Sequence, residues 1–254
     1  MIAKAAPPPS RKDRIEAAFG AASASYDHAA IAQRQVARRI AAKVLASPPP
    51  PGAKILEIGC GTGLLTRELW PPLRDRRWLI TDLAEPMLAR CKALIGDGPS
   101  YRLMDGELPD VEPASQDLIV ASLAFQWFED LGAGLERLAS CLRPGGRLLF
   151  SVIGDETFHE WRSWLAERRG PQQAAMGDAP DAATLGRWAT VVAEERIPLD
   201  FGGCAPFLRH LKELGAGEAA PGYRQLSPRL MREALRSFDG RVTYHVLYAA
   251  ITRS

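Results

Sequence analysis

Cysteine and histidine are scarce in this sequence, with four of each among 254 residues. No two cysteines form a CxxC pair, and the cysteines and histidines form no short-spaced group of the kind that zinc requires. These absences exclude a disulfide framework and argue against a metal site. Because no secretory leader precedes them, we expect a reduced, cytoplasmic protein that binds no metal.

The sequence also lacks an excess of one charge and a long apolar run. Thirty-two basic residues stand against thirty acidic ones, which gives a formal net charge of +2. The longest apolar runs, such as residues 118–125, are too short to cross a bilayer and contain polar residues. We therefore expect neither nucleic acid nor a membrane as a partner, and we expect a monomer.

The composition is that of a globular protein, 46% hydrophobic and 24% charged, and the length indicates one domain with insertions. Residues 1–12 include three consecutive prolines and predict a disordered tail. Residues 13–47 predict N-terminal helices. The second of these helices is amphipathic, with apolar residues at helical spacing and arginines on another face.

Between residues 53 and 153, short apolar strands alternate with helical segments. The predicted strands are 54–58, 78–81, 117–122 and 147–153, and the predicted helices are 64–70, 86–94 and 131–142. This alternation is typical of a parallel sheet covered on both faces. We therefore predict an α/β fold, a Rossmann-like doubly wound sheet in which residues 53–153 form the cofactor-binding half of a single domain over residues 13–254.

The C-terminal part of the sequence is less regular. Residues 157–168 predict a helix, residues 196–201 a strand and residues 242–252 a final strand. Helices predicted at 207–214 and 227–238 lie within residues 202–240, which we interpret as an inserted helical cap over the substrate site.

A glycine-rich segment, residues 57–63 with the sequence Glu-Ile-Gly-Cys-Gly-Thr-Gly, follows the first predicted strand. Glycines let the backbone approach a ligand closely, and ligands of open α/β sheets bind at the carboxyl ends of the strands. The nicotinamide fingerprint GxGxxG would need glycine in place of Leu64, so the spacing disfavours a dinucleotide. The alternative is a tight turn that binds nothing.

Asp82 closes the second predicted strand, where a carboxylate can accept hydrogen bonds from both hydroxyls of a ribose. The alternative is that Asp82 caps the next helix. A second acidic residue, Asp105, lies in the segment Leu-Met-Asp-Gly-Glu at 103–107, for which an exposed turn is the alternative.

Segment 57–63, Asp82, Asp105 and the Arg-Pro-Gly-Gly turn at 143–146 together resemble the motifs of class I S-adenosylmethionine-dependent methyltransferases. The resemblance implies S-adenosyl-L-methionine as the cofactor, with Asp105 receiving the adenine amino group and Met87 contacting the adenine ring, although Met87 also suits a core position. The cofactor-binding residues predicted on this basis are Glu57, Gly59, Cys60, Gly61, Gly63, Asp82, Leu83, Met87, Asp105, Gly106 and Ser122.

Further stretches resemble the malonyl-acyl carrier protein O-methyltransferase family of biotin biosynthesis. These stretches are residues 15–20, 24–27, 122–127, 211–216 and 243–248. The resemblance implies methyl transfer to the free carboxylate of a malonyl thioester, with a malonyl-loaded acyl carrier protein as the partner. A carboxylate is already a nucleophile, so we nominate no catalytic acid or base and expect positioning to dominate.

The positioning candidates are Tyr26, Gln126, Trp127, Arg209, His210, Tyr244 and His245. Packing or solvent exposure is the alternative for Trp127, Arg209 and His210. Tyr244 and His245 are neighbours on one predicted strand, so at most one of them reaches the pocket.

Carrier proteins are acidic, and two basic helical patches are candidate docking faces, one with Arg34, Arg38 and Arg39, the other with Arg229, Arg232 and Arg236. Three other functions stay open: a methyltransferase for another small acid or quinone, a respiratory-complex assembly factor of the same fold, and a cofactor-binding protein without chemistry. Residues 154–157 resemble the assembly factors, but those proteins carry histidine where this chain has Gln126 and lack the Thr-Tyr-His segment at 243–245.

Overall fold

A seven-stranded sheet forms the centre of the protein in a computed structural model that describes residues 9–169, 179–216 and 225–254. The strands are β1 Lys54–Ile58, β2 Arg77–Asp82, β3 Ser100–Leu103, β4 Gln116–Ser122, β5 Leu142–Ile153, β6 Thr190–Asp200 and β7 Arg241–Thr252. Their order is β3-β2-β1-β4-β5-β7-β6, with β1 to β5 parallel and β7 antiparallel to both neighbours. The predicted α/β doubly wound fold is confirmed.

Helices cover both faces of this sheet. They are α1 Arg11–Ala22, α2 Tyr26–Ala29, α3 Ile31–Leu45, α4 Thr66–Leu69, α5 Glu85–Ile95, α6 Leu131–Cys141, α7 His159–Arg169, α8 Ala182–Leu185, α9 Cys204–Glu213 and α10 Pro228–Ser237. Successive strand residues point to opposite faces, so Ile55 lies in the core beneath α3 while Leu56 lies in the core beneath α6. Both side chains are fully buried, which is why the strands read as continuous apolar runs.

The amphipathic α3 packs on β4, β5 and β7. Its buried face combines Val36, Ile40 and Val44 with small alanines, whereas Ile31 at its start is 47% exposed. The predicted helix is therefore present, but its apolar stripe begins one turn later than the spacing suggested.

The first helix begins earlier than predicted. We expected a tail through residue 12, but α1 starts at Arg11 because Ser10 and Asp13 form a capping box, in which each side chain accepts a hydrogen bond from the backbone N–H of the other. Residues 1–8 of the predicted tail lie outside the described residues. Lys12 is thereby fixed on a helix.

The two helices predicted within residues 202–240 are α9 and α10, which lie between β6 and β7 in the chain and pack on each other. Residues 217–224 between them, and residues 170–178 before α8, lie outside the described part of the chain. Strand β6 begins at Thr190, six residues before the predicted strand, and pairs with β7 along its length.

Within the described ranges, no helix is both long and apolar enough to span a bilayer. In the same ranges, no cluster of three or more histidine, cysteine or acidic side chains has the arrangement of a metal site. All four cysteines are buried free thiols.

Candidate functional site

The site lies where the strand order reverses, between β1 and β4, at the carboxyl ends of the parallel strands. A cleft opens there with about 940 Å³ of empty space, including its mouth. Loops after β1, β2, β3 and β4 form most of its wall, and α1 covers part of it.

The loop after β1 contains three glycines with positive φ, Gly59 at +66°, Gly61 at +55° and Gly63 at +93°. A Cβ on Gly59 would lie 2.6 Å from the Cβ of Ala124, and one on Gly63 would lie 3.1 Å from the Sγ of Cys91. A Cβ on Gly61 would meet no atom within 4 Å. Gly59 therefore permits close packing against the β4 loop and Gly63 against α5, while Gly61 leaves open space beside the cleft.

Asp82 fixes this loop from the end of β2. Its Oδ2 accepts a hydrogen bond from the N–H of Gly61 at 2.7 Å, and its Oδ1 accepts one from the N–H of Ala84 at 2.8 Å. Burial raises the pKa of the Asp82 carboxyl, although the backbone donors at Ala84, Gly61 and Leu83 oppose the shift. Each oxygen keeps a lone pair for a further donor, so the carboxylate can still bind a ligand hydroxyl.

Part of the apolar wall of the cleft comes from residues that follow β2 and β3. Leu83 and Met87 line the cleft together with Met104. Met87 is only 1% exposed, so it belongs to the core and to the cleft wall at once. Gly106 is required beneath this wall, because a Cβ there would lie 2.2 Å from the Cγ2 of Ile58.

Asp105 lines the cleft as predicted, and Lys12 of α1 forms an ion pair with it. The Nζ of Lys12 also lies 2.7 Å from the Oε2 of Glu107. Burial raises the pKa of Glu107, but the Lys12 ammonium and the N–H groups of Glu129 and Asp130 outweigh it, so the pKa lies below its usual value. The N-terminal helix is thus joined to the rim of the cleft.

Two predicted cofactor residues do not line the cleft. Glu57 is 1% exposed, and its Oε2 accepts a hydrogen bond from the Oγ1 of Thr66 at 2.8 Å. Burial raises the pKa of Glu57 well above its usual range. Gly63 faces α5 instead. Both residues shape the loop from outside the cleft, Glu57 through its bond to Thr66 and Gly63 through its close approach to α5. The remaining predicted residues, Gly59, Cys60, Gly61, Asp82, Leu83, Met87, Asp105, Gly106 and Ser122, all line the cleft.

A second, smaller chamber of about 430 Å³ adjoins the cleft and shares Phe19, Tyr26, Gln33, Leu123 and Trp127 with it. Four of the positioning candidates line this chamber, namely Tyr26, Gln126, Trp127 and Tyr244. Burial raises the pKa of Tyr26 and of Tyr244, so both hydroxyls keep their protons at neutral pH.

Leu123, which lines both the cleft and the chamber, has a φ of +51°, which is uncommon for a residue with a side chain. Its N–H donates to both the carbonyl oxygen and the Oγ of Ser151, each at 3.1 Å, and these bonds hold the conformation. Backbone strain of this kind persists only where the surrounding structure enforces it, and it is concentrated at functional sites.

The other three positioning candidates lie outside both chambers. Arg209 is exposed on α9. His210 is buried behind the chamber, with its Nε2 3.0 Å from the hydroxyl of Tyr244. His245 points to the opposite face of β7, where its ring lies within 3.5 Å of Asp155 and Glu194. The alternation along β7 turns Tyr244 toward the chamber, and Arg209, His210 and His245 do not line it.

Sequence reasoning missed several wall residues, among them Lys12, Gln33 and Phe158. Lys12 fell within the predicted tail, although the Ser-x-x-Asp capping signal at 10–13 could have indicated a helix. Gln33 lies on the amphipathic α3, where a polar residue beside the apolar stripe was the available signal. Phe158, with a φ of +56°, had no sequence signal that we can identify.

Comparison with known proteins agrees with this geometry. A family described as a methyltransferase domain matches residues 56–148. A malonyl-[acyl-carrier protein] O-methyltransferase of Magnetococcus marinus is 39% identical over 96% of this chain and 94% of its own length. A biotin biosynthesis bifunctional protein of Bordetella avium is 39% identical over 91% of this chain, which spans half of that longer protein.

Among solved structures, a phosphoethanolamine N-methyltransferase of Haemonchus contortus has a TM-score of 0.58 over 97% of this chain and 61% of its own, at 15% identity. This likeness concerns the fold. The strand order, the glycine loop and the carboxylate after β2 define an S-adenosylmethionine-dependent methyltransferase of class I. Within that class, the chain belongs to the malonyl-[acyl-carrier protein] O-methyltransferase family.

Proposed function

We propose that this enzyme transfers a methyl group from S-adenosyl-L-methionine to the free carboxylate of a malonyl thioester carried by an acyl carrier protein, a step of biotin synthesis. The family membership supports the reaction. The observation that carries it is the small chamber that opens from the cofactor cleft through shared wall residues, since it offers a place for an acceptor beside the methyl donor.

The cleft residues fit the cofactor. Asp82 offers buried carboxylate lone pairs for the ribose hydroxyls, and the open space at Gly61 admits the ligand beside the backbone. Leu83 and Met87 supply an apolar wall for the adenine, and Asp105 is an acceptor at the rim for its amino group. When bound, the cofactor supplies an electrophilic methyl group on a sulfonium.

The chamber residues fit an acceptor that needs no general base. Among the described residues that line the chamber, none is acidic, basic or a histidine. The polar groups there are neutral, namely the hydroxyls of Tyr26 and Tyr244, the indole N–H of Trp127 and the amides of Gln33 and Gln126. Neutral donors can orient a carboxylate without binding it as tightly as a bidentate arginine would, which preserves its nucleophilicity. Apolar walls exclude water and remove part of the carboxylate's hydration.

His210 acts on this chamber through Tyr244. Burial lowers the pKa of His210, so its ring is neutral at physiological pH. The neutral ring bonds to the Tyr244 hydroxyl and holds it in one orientation. Tyr244 is therefore a positioning residue for the acceptor, and His210 supports it from behind.

For the carrier protein, we infer that α10 is the docking surface. Arg229, Arg232 and Arg236 are exposed, and none of the three has an ion-pair partner in the part of the chain that the structure describes. On α3, by contrast, Arg38 lies 3.6 Å from Glu68 and Arg39 lies 3.7 Å from Glu195. On α10, an acidic partner therefore meets three positive charges that no carboxylate of the described residues neutralises.

Only α9 separates α10 from the acceptor chamber along this line of contacts. Helix α10 packs on α9, and Leu211 of α9 lines the chamber. We further infer a cytoplasmic setting, which the four free, buried thiols support.

The reaction is tested by incubating the purified enzyme with S-adenosylmethionine and malonyl carrier protein, and by measuring the mass of the carrier. A mass increase of one methylene is expected. Carrier protein loaded with an acetyl group is the control, because it lacks the free carboxylate. No increase, together with methylation of a different small acid or a quinone, would exclude the proposal. Rescue of a biotin-requiring strain that lacks this methylation would test the biological role.

The docking surface is tested by Arg229→Glu with Arg232→Glu. The KM for malonyl carrier protein should rise about tenfold or more, while the KM for a small malonyl thioester should not change. Arg38→Glu on α3 is the matched control and should leave both values near those of the wild type. Equal effects of the α10 changes on both substrates would contradict this docking surface.

A further inference from the structure

Gln126 has a buried amide oxygen without a partner. The residue belongs to the short 3-10 turn Phe125–Trp127 after β4 and lines the small chamber. Its Nε2 donates a hydrogen bond to the carbonyl oxygen of Leu123 at 2.6 Å. A carbonyl oxygen needs a donor, so the amide nitrogen must face Leu123 and the amide oxygen must face the other way. This Oε1 is buried and has no hydrogen-bond partner among the described residues.

An unpaired buried acceptor is unfavourable, and such groups are rare in folded proteins unless a ligand or water completes them. None of the donors that line the chamber makes a hydrogen bond to this oxygen, neither the Tyr26 and Tyr244 hydroxyls nor the Trp127 indole N–H nor the Gln33 amide. Gln33 also has an unpartnered amide oxygen, but it lines the cofactor cleft as well as the chamber, so its ligand is ambiguous. Gln126, by contrast, lines the chamber and not the cofactor cleft.

Because Gln126 lines the chamber, the acceptor molecule is the ligand that can bring a donor to its Oε1. A malonyl group has only acceptors, since its carboxylate and thioester carbonyl carry no N–H or O–H at neutral pH. The first donor along a pantetheine thioester is the amide N–H that follows the two methylene groups after sulfur. The carbonyl oxygen of a glutamine side chain is a suitable acceptor for this N–H.

We propose that Gln126 accepts a hydrogen bond from the amide N–H nearest the sulfur of the pantetheine arm, and thereby selects pantetheine thioesters over other malonyl compounds. The inference rests on the proposed function and deepens it, because it assigns a specificity residue for the thioester arm. The recognised group is common to carrier-protein and coenzyme A thioesters, so Gln126 acts equally on both, while carrier selectivity comes from the protein surface.

The test compares three substrates with the wild-type enzyme: malonyl-pantetheine, its analogue with that amide nitrogen methylated, and a malonyl propyl thioester without an amide. The kcat/KM should be about tenfold higher for malonyl-pantetheine than for either analogue, as expected for one hydrogen bond that satisfies a buried acceptor. In Gln126→Met, which keeps the side-chain length, the three values should become similar. Gln35→Met, at an exposed position of α3 that lines neither the cleft nor the chamber, is the matched control and should retain the wild-type ratio.

Each outcome decides the proposal. Equal kcat/KM for all three substrates in the wild type would overturn it, and so would a Gln126→Met variant that loses activity by one common factor on all three. Calorimetric binding of S-adenosylhomocysteine at wild-type affinity identifies a folded Gln126→Met protein, and the wild-type substrate series decides the question if that variant does not fold.

A further comparison uses the two natural kinds of pantetheine thioester, those of coenzyme A and of the carrier protein. Gln126→Met should lower kcat/KM for malonyl-coenzyme A and for malonyl carrier protein by the same factor, and a loss confined to the carrier protein would overturn the assignment. Failure of the wild type to methylate any malonyl thioester would instead remove the proposed function itself.

Discussion

The two glycines Gly59 and Gly61 allow one substitution to be compared at two positions with different surroundings. Both have a φ near +60°, so alanine costs about 1 kcal/mol of backbone strain at either position. At Gly59 the new Cβ would also lie 2.6 Å from the Cβ of Ala124, and overpacking of that kind adds about 2 kcal/mol. At Gly61 it would meet nothing within 4 Å and would extend into the space beside the cleft.

The two variants should therefore have different main defects, a loss of stability for Gly59→Ala and a loss of ligand binding for Gly61→Ala. Gly59→Ala should lower the melting temperature by roughly 10 °C, since about 3 kcal/mol corresponds to that shift in a chain of this size. Gly61→Ala should lower it by only about 3 °C, but should weaken S-adenosylhomocysteine binding at least tenfold, because the methyl group occupies ligand space.

Thermal unfolding followed by circular dichroism and calorimetric titration with S-adenosylhomocysteine measure the two quantities on the same samples. The reasoning is refuted if Gly61→Ala binds the ligand like the wild type, or if both variants lose the same stability. The first result would mean that the open space at Gly61 does not receive the cofactor. The second would mean that Ala124 moves aside without cost.

Three further outcomes follow from the buried polar groups. Asp82→Asn should weaken S-adenosylhomocysteine binding by roughly 10- to 100-fold in calorimetry, since hydrogen bonds to a charged acceptor contribute about 1.5–3 kcal/mol, and a change below threefold would contradict the ribose role. Glu57→Gln should flatten the pH dependence of stability in urea unfolding. Because the pKa of Glu57 is raised in the folded state, the folded protein binds more protons than the unfolded chain above about pH 4.5. The stability of the wild type therefore falls as pH rises through the folded-state pKa. A variant profile parallel to the wild type would show that Glu57 carries no such penalty. Tyr244→Phe should lower the free energy of unfolding by about 1–3 kcal/mol, because the Nε2 of His210 loses its partner, and an unchanged denaturation midpoint would argue against that bond.

Much of the cofactor half was predictable because its elements satisfy local rules. The central strands are buried on both faces, so they read as apolar runs, and helix ends carry signals such as Asp130, whose side chain caps α6. Asp82 and Ser122 could be placed at one edge because parallel strands end together there. Strand β3 carries no such pattern: it lies at the sheet edge, and Leu103 within it is half exposed.

The acceptor side was harder to predict because tertiary packing decides it. Gln33 comes from α3 and Tyr244 from β7, elements separated by most of the chain, and no spacing rule brings them into one chamber. Arg209 and His210 are adjacent on α9, yet one faces solvent and the other the core, a choice made by the neighbouring Phe201 and Tyr244 rather than by local sequence.

The composition of the chamber wall also determines how the methyl transfer responds to acidity. A wall of hydroxyls, amides and hydrocarbon has nothing that gains or loses a proton between about pH 6 and pH 9, and the malonyl carboxylate is already ionised there. The chemical step should then proceed at a constant rate across that interval, without the bell-shaped profile that an acid and base pair produces. Within that interval, a change of internal pH should leave the chemical step of the methyl transfer unaffected.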